Sequence, residues 1–290
     1  MVVDFHCHIF TERIFENVRT RPSMVKQLRL NVDDAIQRLA PTSLTESAKA
    51  NDVDICLILP TATPEKVAQE NNHFIRLSLE SKKLRPAATL HPSMSGLTAE
   101  INRIADFGIN IFKLSSFSQK FDLLSPKVEA MLTEIERLSQ NRCVRFSVIF
   151  DTFSKADTFF DANPEHLTKP FKLVALANRH EGINFIGAHM GGLLCDFGEL
   201  RRSLIPAPNL YLDTSNAAHT LKHFEFIELL NMHGADHILF GTDWPWFVHA
   251  KEIQLIRSLL VGAGFNDSEQ DKVFRGNAVS LLGKKSDNYV

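Results

Sequence analysis

His6 and His8 stand one residue apart near the start of the chain, in the run Asp4-Phe5-His6-Cys7-His8-Ile9-Phe10 that follows Val2-Val3. On an extended strand, residues two apart point the same way. The two imidazoles therefore project together, while Phe5, Cys7 and Ile9 turn to the other face. Two imidazoles side by side on a rigid strand make half of a divalent-metal site. A lone His-X-His pair is equally compatible with two unrelated polar residues at a strand end. What decides between these readings is the company the rest of the chain supplies.

That company depends on the elements. Short aliphatic runs recur at 2–8, 54–60, 85–91, 109–114, 144–151, 184–189, 209–214 and 237–243. Stretches with helical periodicity lie between them, at 44–51, 65–81, 97–107, 127–141, 171–179, 223–233 and 251–262. Strands alternating with helices of this length imply βαβ units and a parallel sheet. Eight such units closing on themselves predict an α/β fold, a (β/α)8 TIM barrel, over a single domain, 1–290. An open doubly wound sheet is the alternative, but it places a glycine-rich phosphate turn after the first strand. Here histidines hold that place. Long loops are expected at 11–43 and 152–169, over the face where such barrels carry their active sites.

In a barrel the carboxyl ends of the strands converge, so polar residues there become neighbours. Strand one supplies His6 and His8, strand three His91, strand four Lys113 and strand five Asp151. Strand six ends in His189, strand seven in Asp213-Thr214-Ser215 and strand eight in Gly241-Thr242-Asp243-Trp244-Pro245. Burying so many polar groups without partners would cost several kcal/mol each, roughly. A shared pocket is the economical explanation.

Composition narrows the rest. With 44% hydrophobic residues and a formal charge of -2, the chain reads as globular and lacks the basic face that nucleic-acid binding needs. No apolar run is long enough to span a bilayer, and a strand starting at Val2 leaves no room for a cleaved leader. Cys7, Cys56, Cys143 and Cys195 have no metal-type spacing and read as reduced residues of a cytoplasmic protein.

The Asp-Phe-His-Cys-His start, the segment Gly187-Ala188-His189-Met190-Gly191-Gly192 and the segment Phe240-Gly241-Thr242-Asp243-Trp244-Pro245 resemble the metal-dependent amidohydrolase superfamily. The resemblance is to the amidohydrolase-related group that includes aminocarboxymuconate semialdehyde decarboxylase, γ-resorcylate decarboxylase and pyrone-dicarboxylate lactonase. Phe274-Arg275-Gly276-Asn277-Ala278 is similar to that group's final helix, so the likeness covers nearly the whole chain. It implies that His6 and His8 ligate one divalent metal ion, zinc before manganese. Asp243 would be a further ligand or the base that manages the proton of a metal-bound water. His189 would activate water or polarise substrate. Many relatives place a ligating histidine at the end of strand five, and alignment puts Asp151 there. Substrate-binding residues would be Lys113, His91, Trp244 and Thr214, with His219 and His249 as further pocket lining. A homodimer is the quaternary expectation.

A metal on His6, His8 and Asp243 would lower the pKa of bound water to about 7. The expected activity is therefore hydrolysis of a small ester, lactone or amide. Arg13, Arg19, Arg21 and Lys113 point to a carboxylated substrate. The same arrangement supports non-oxidative decarboxylation of an aromatic or muconate-like acid. A barrel that binds a small metabolite without turnover is the reading from another class.

Overall fold

Each aliphatic run becomes a parallel strand, because side chains on both faces of these runs are apolar enough to be buried. In the computed structural model, which describes residues 1–283, the strands are β1 (Val2–Cys7), β2 (Val53–Ile58), β3 (Leu84–Pro86), β4 (Ala88–Thr89), β5 (Ile111–Leu114), β6 (Ser147–Phe150), β7 (Asn184–Gly187), β8 (Leu210–Asp213) and β9 (Ile238–Leu239). β3 and β4 are one barrel strand interrupted at Ala87. Pairing runs β1-β2-β3 and then β4 through β9 in sequence order. The seam closes where Phe5 N donates to Phe240 O at 2.8 Å and His8 N to Trp244 O at 2.9 Å. The result is a (β/α)8 TIM barrel. Among the described residues no helix is long and apolar enough to cross a membrane.

Two apolar layers hold it. Val3, Phe5, Leu57, Ile111, Ile149, Ile186 and Leu239 fill the barrel interior. Their neighbours one residue along, such as Phe112, Val148, Phe185 and Ile238, face outward onto the helices. Alternation then dictates what stands above the interior layer. Lys113 lies two past Ile111, Asp151 two past Ile149, Asp213 two past Tyr211, and Asp243 four past Leu239. Polar residues with inward register at the carboxyl ends are therefore a consequence of strand geometry.

The first strand breaks that alternation. Asp4 pairs with Cys56 and Cys7 with Ile58, so three steps along β1 match two along β2. The extra residue is a bulge, and it reverses the phase of the strand. Phe5 thus packs in the interior while Cys7 packs outside with Cys56, Leu44 and Trp244. The expectation that Phe5 and Cys7 share a face is corrected by this bulge, which brings both Phe5 and His6 inward.

The two long connections are not irregular loops. Residues 11–43 contain helices Glu12–Arg19, Pro22–Leu28 and Val32–Ala35, and residues 152–169 contain helix Ala156–Phe160. Thr11 caps the first of these through its side chain, and Pro22 stands at the first position of the second. Their apolar faces meet: Phe15, Met24, Leu28 and Leu30 pack with Phe153 and Trp246. His180 and His233 are buried at 2% and 5% exposure.

Ile186 is fully buried at the centre of the interior layer. Truncation to alanine should cost about 2–5 kcal/mol of stability, because rigid strands cannot close around the void. Urea unfolding of Ile186→Ala checks this; a loss below about 1 kcal/mol would mean that the interior repacks.

Candidate metal centre

Three donors from the two ends of the sequence meet at the carboxyl end of the barrel. His6 Nε2 lies 3.1 Å from His8 Nε2 and 3.8 Å from Asp243 Oδ1, and His8 Nε2 lies 3.3 Å from the same oxygen. Bonds of about 2.0–2.1 Å from a divalent ion to nitrogen and oxygen leave adjacent ligand atoms about 3.0–3.4 Å apart. Two of the three separations are those of a coordination sphere, and the third, His6 to Asp243, is wider at 3.8 Å. Two ring nitrogens facing each other beside a carboxylate also need a shared positive charge or proton between them.

The proton positions follow from the partners. His6 Nδ1 lies 2.8 Å from Asp213 Oδ2 and 3.1 Å from Ser215 Oγ. An ionised carboxylate only accepts, so Nδ1 carries the proton and Nε2 keeps its lone pair. Burial pushes His6 down to about 4, against the pull of Asp213, so the ring is neutral at neutral pH. Burial alone would raise Asp213, but the adjoining His6 and His189 rings and the Ser215 hydroxyl hold it at about 2. Asp243 is likewise held below the ordinary carboxylate range: burial opposes this, and the hydrogen bond from His8 with the nearby rings outweighs it. The donor set is therefore the neutral His6 imidazole, the His8 imidazole and one carboxylate, which fits zinc and also admits manganese.

His189 sits beside this group, its ring 4.8 Å from that of His6. Its Nδ1 lies 2.9 Å from the Ser215 carbonyl, which can only accept, so Nδ1 is protonated. Nε2 is left with its lone pair in the cavity that the ring lines. Backbone strain concentrates here. His189, Asn216 and Asp243 have φ of 55°, 55° and 61°, a left-handed conformation that side chains with a Cβ rarely adopt. Gly241 is needed for a different reason: a Cβ there would lie 2.8 Å from His6 Cβ.

The cavity above these residues measures about 750 Å³. Phe10, Phe117, Phe153, Phe160 and Trp246 form apolar walls, and Lys113, Asp151, His189 and Asp243 line it with His8. Lys113 is 1% exposed, and its Nζ has no hydrogen-bond partner among the described residues.

Several expected site residues lie elsewhere. Asp151 lines the cavity but does not join the donor cluster, because its Oδ1 accepts from the Phe153 amide at 3.2 Å in a local turn. His91 is bound to the Gln119 carbonyl and the Ser93 amide. Thr214 exchanges hydrogen bonds with the Gly241 backbone, pinning β8 to the loop after β9. Trp244 packs outward among Cys7, Leu44 and Cys56, and Trp246 takes the wall. His249 lies behind the barrel wall against Asp4, and His219 is paired with Glu252. Arg13 and Arg19 are exposed, and Arg21 binds the Phe159 carbonyl, so none of the three lines the cavity. Asp213 carried no assigned role in the sequence, although the alternation Tyr211/Asp213 already gave it inward register.

The sequence matches the family described as Amidohydrolase over residues 3–284. No curated protein sequence matches it. Among solved structures, 5-carboxyvanillate decarboxylase from Sphingomonas paucimobilis is 16% identical, with 97% of this chain and 98% of that one covered at a TM-score of 0.66. A dihydroxybenzoic acid decarboxylase from Polaromonas sp. JS666, with bound manganese and 2-nitroresorcinol, is 16% identical at a TM-score of 0.69, covering 97% and 96%. A protein from Acinetobacter baumannii described as a probable 2-pyrone-4,6-dicarboxylic acid hydrolase is 13% identical at 0.67, covering 98% and 99%. At these identities the likeness is one of fold.

Asp213→Asn removes the charge that fixes the His6 ring while leaving its shape. Metal affinity, measured by competition with a chromophoric chelator, should fall about 10- to 100-fold. Unchanged affinity would mean that the ring is oriented by packing alone. Gly241→Ala should weaken metal binding as well, by displacing His6.

Proposed function

The chain belongs to the amidohydrolase family, and on that premise we propose that it is a metal-dependent hydrolase of a small, carboxylated ester, lactone or amide. His6 Nε2, His8 Nε2 and Asp243 would hold one zinc or manganese ion. Bound there, such an ion supplies a Lewis acid that polarises an acyl oxygen and lowers the pKa of water to about 7. The observation that carries the reading is the state of His189. Its Nδ1 proton is committed to the Ser215 carbonyl, so Nε2 is a ready general base beside the three donors. His189 then accepts the proton of the attacking water and returns it to the leaving group. Asp243, whose other oxygen lies 3.4 Å from Asn216 Nδ2, is held as an anion and steadies the protonated His189.

Lys113 supports the carboxylated substrate. A buried ammonium without a partner is costly, and a substrate anion would satisfy it. Apolar walls around it exclude water and strengthen that pairing. The five aromatic walls also favour a second reading, decarboxylation of a flat aromatic acid, in which a proton returned to the ring would come from His189.

Two sets of experiments test these readings. Metal analysis of protein purified without chelator should give bound zinc or manganese that His6→Ala loses from the cavity, with turnover abolished by chelation. Turnover that survives complete metal removal would overturn the metal-dependent reading. Across a panel of aryl carboxylates and their lactones and esters, hydrolysis incorporates ¹⁸O from labelled water into the acid product. Release of labelled CO₂ instead would select decarboxylation. With the active substrate, His189→Asn should lower kcat by about 10²- to 10⁴-fold. Lys113→Met should raise KM by about 10- to 100-fold with a smaller effect on kcat.

A further inference from the structure

A second cluster of donors lies on the opposite side of β1, out of the cavity. Cys7, Cys56 and His249 bring two sulfurs and a ring nitrogen within 4.8 Å of one another. His249 Nε2 lies 3.1 Å from Asp4 Oδ2 and 3.9 Å from Cys56 Sγ. All four side chains are fully buried, and none lines the cavity at the barrel mouth. The β1 bulge makes this possible by turning Cys7 to the face that Asp4 and Cys56 share. His249 arrives as the first residue of helix His249–Gly262. Its other nitrogen, Nδ1, lies 2.9 Å from Ser47 Oγ on helix Pro41–Ala50, which orients the ring.

We propose that Cys7, Cys56 and His249 hold a zinc ion in a second, structural metal site, with Asp4, which lies against His249 but outside that trio, as the fourth ligand. Bonds of about 2.3 Å to sulfur and about 2.0 Å to nitrogen or oxygen put tetrahedral ligand atoms about 3.3–3.8 Å apart. The 3.1 Å from His249 Nε2 to Asp4 Oδ2 and the 3.9 Å to Cys56 Sγ lie just outside that range, one on either side. Two thiolates and the Asp4 carboxylate exceed the charge of a zinc ion by one, and donors from Thr242 offset the excess at Asp4 without solvent. The Asp4 carboxylate is further held by the Thr242 amide at 3.0 Å and the Thr242 hydroxyl at 2.5 Å. No donor faces solvent, which is the closed arrangement of a structural site rather than the open one of a catalytic site. Such an ion would tie β1 and β2 to the last barrel helix, behind the strand that carries His6 and His8.

This site is independent of the proposed activity, and its sulfur ligands give it a signature of its own. The cavity donors contain no sulfur, so a sulfur-to-cobalt charge-transfer band in the near ultraviolet reports the cysteine cluster whatever the cavity holds. Because the cluster is sealed, the full-length chain should be produced in cobalt-substituted medium, both native and as Cys143→Ser/Cys195→Ser. The expected result is an intense band in both proteins, lost in Cys56→Ser. Purified from zinc-containing medium, His6→Ala/His8→Ala protein should keep one zinc per chain. Absence of the band from native protein, or its loss in the Cys143→Ser/Cys195→Ser protein, would overturn the proposal. So would a His6→Ala/His8→Ala protein that folds but carries no zinc.

Discussion

The hydrogen bond between His6 Nδ1 and Asp213 spans 207 positions in sequence and 2.8 Å in space, and the chemistry of the site depends on it. It decides which nitrogen of His6 carries the proton. It therefore decides that a lone pair, not an N–H, meets His8 and Asp243. Asp213 can do this only because it stays ionised while buried. That in turn requires the donors aimed at it: the His189 amide at 3.0 Å, the Ser215 amide at 3.1 Å and the Ser215 hydroxyl. A buried carboxylate with this many donors is far less costly than one without.

The surrounding backbone is shaped to the same end. Gly241 lets the loop after β9 approach His6 more closely than any side chain would allow. The bulge in β1 turns His6 inward in succession to Phe5, at the cost of regular pairing. Left-handed conformations at His189, Asn216 and Asp243 aim polar side chains that regular strand ends would have pointed elsewhere. Such strain persists where packing over-determines it, and the dense outer layer of phenylalanines and leucines supplies that packing.

Above the donors, the helical segments of residues 11–43 and 152–169 supply what the strands cannot. They carry the apolar side chains that roof the cavity, and they isolate Lys113 from bulk water. Low dielectric makes both the lysine and the carboxylates more demanding of partners. The recognition of a small anionic substrate that we propose rests on that demand.

The strand and helix pattern was legible in the sequence because a parallel barrel buries both faces of each strand and one face of each helix. Alternation and 3.6-residue periodicity were therefore written into residues such as Ile111, Ile149 and Ile186. His6, His8, His189 and Asp243 were legible as candidate site residues for a related reason: a polar residue at the end of an apolar strand has no other economical place. The β1 bulge was not legible, since it is a mismatch between two strands and belongs to neither alone. That mismatch, with local hydrogen bonds, is what tertiary structure decided. It placed Cys7 beside Cys56 and His249, aimed the Nδ1–H of His6 at Asp213, sent Trp244 outward and Trp246 inward, and turned Asp151 into its own loop. Periodicity specifies which face a residue occupies, but which donor meets which acceptor depends on distances between segments that the sequence keeps far apart.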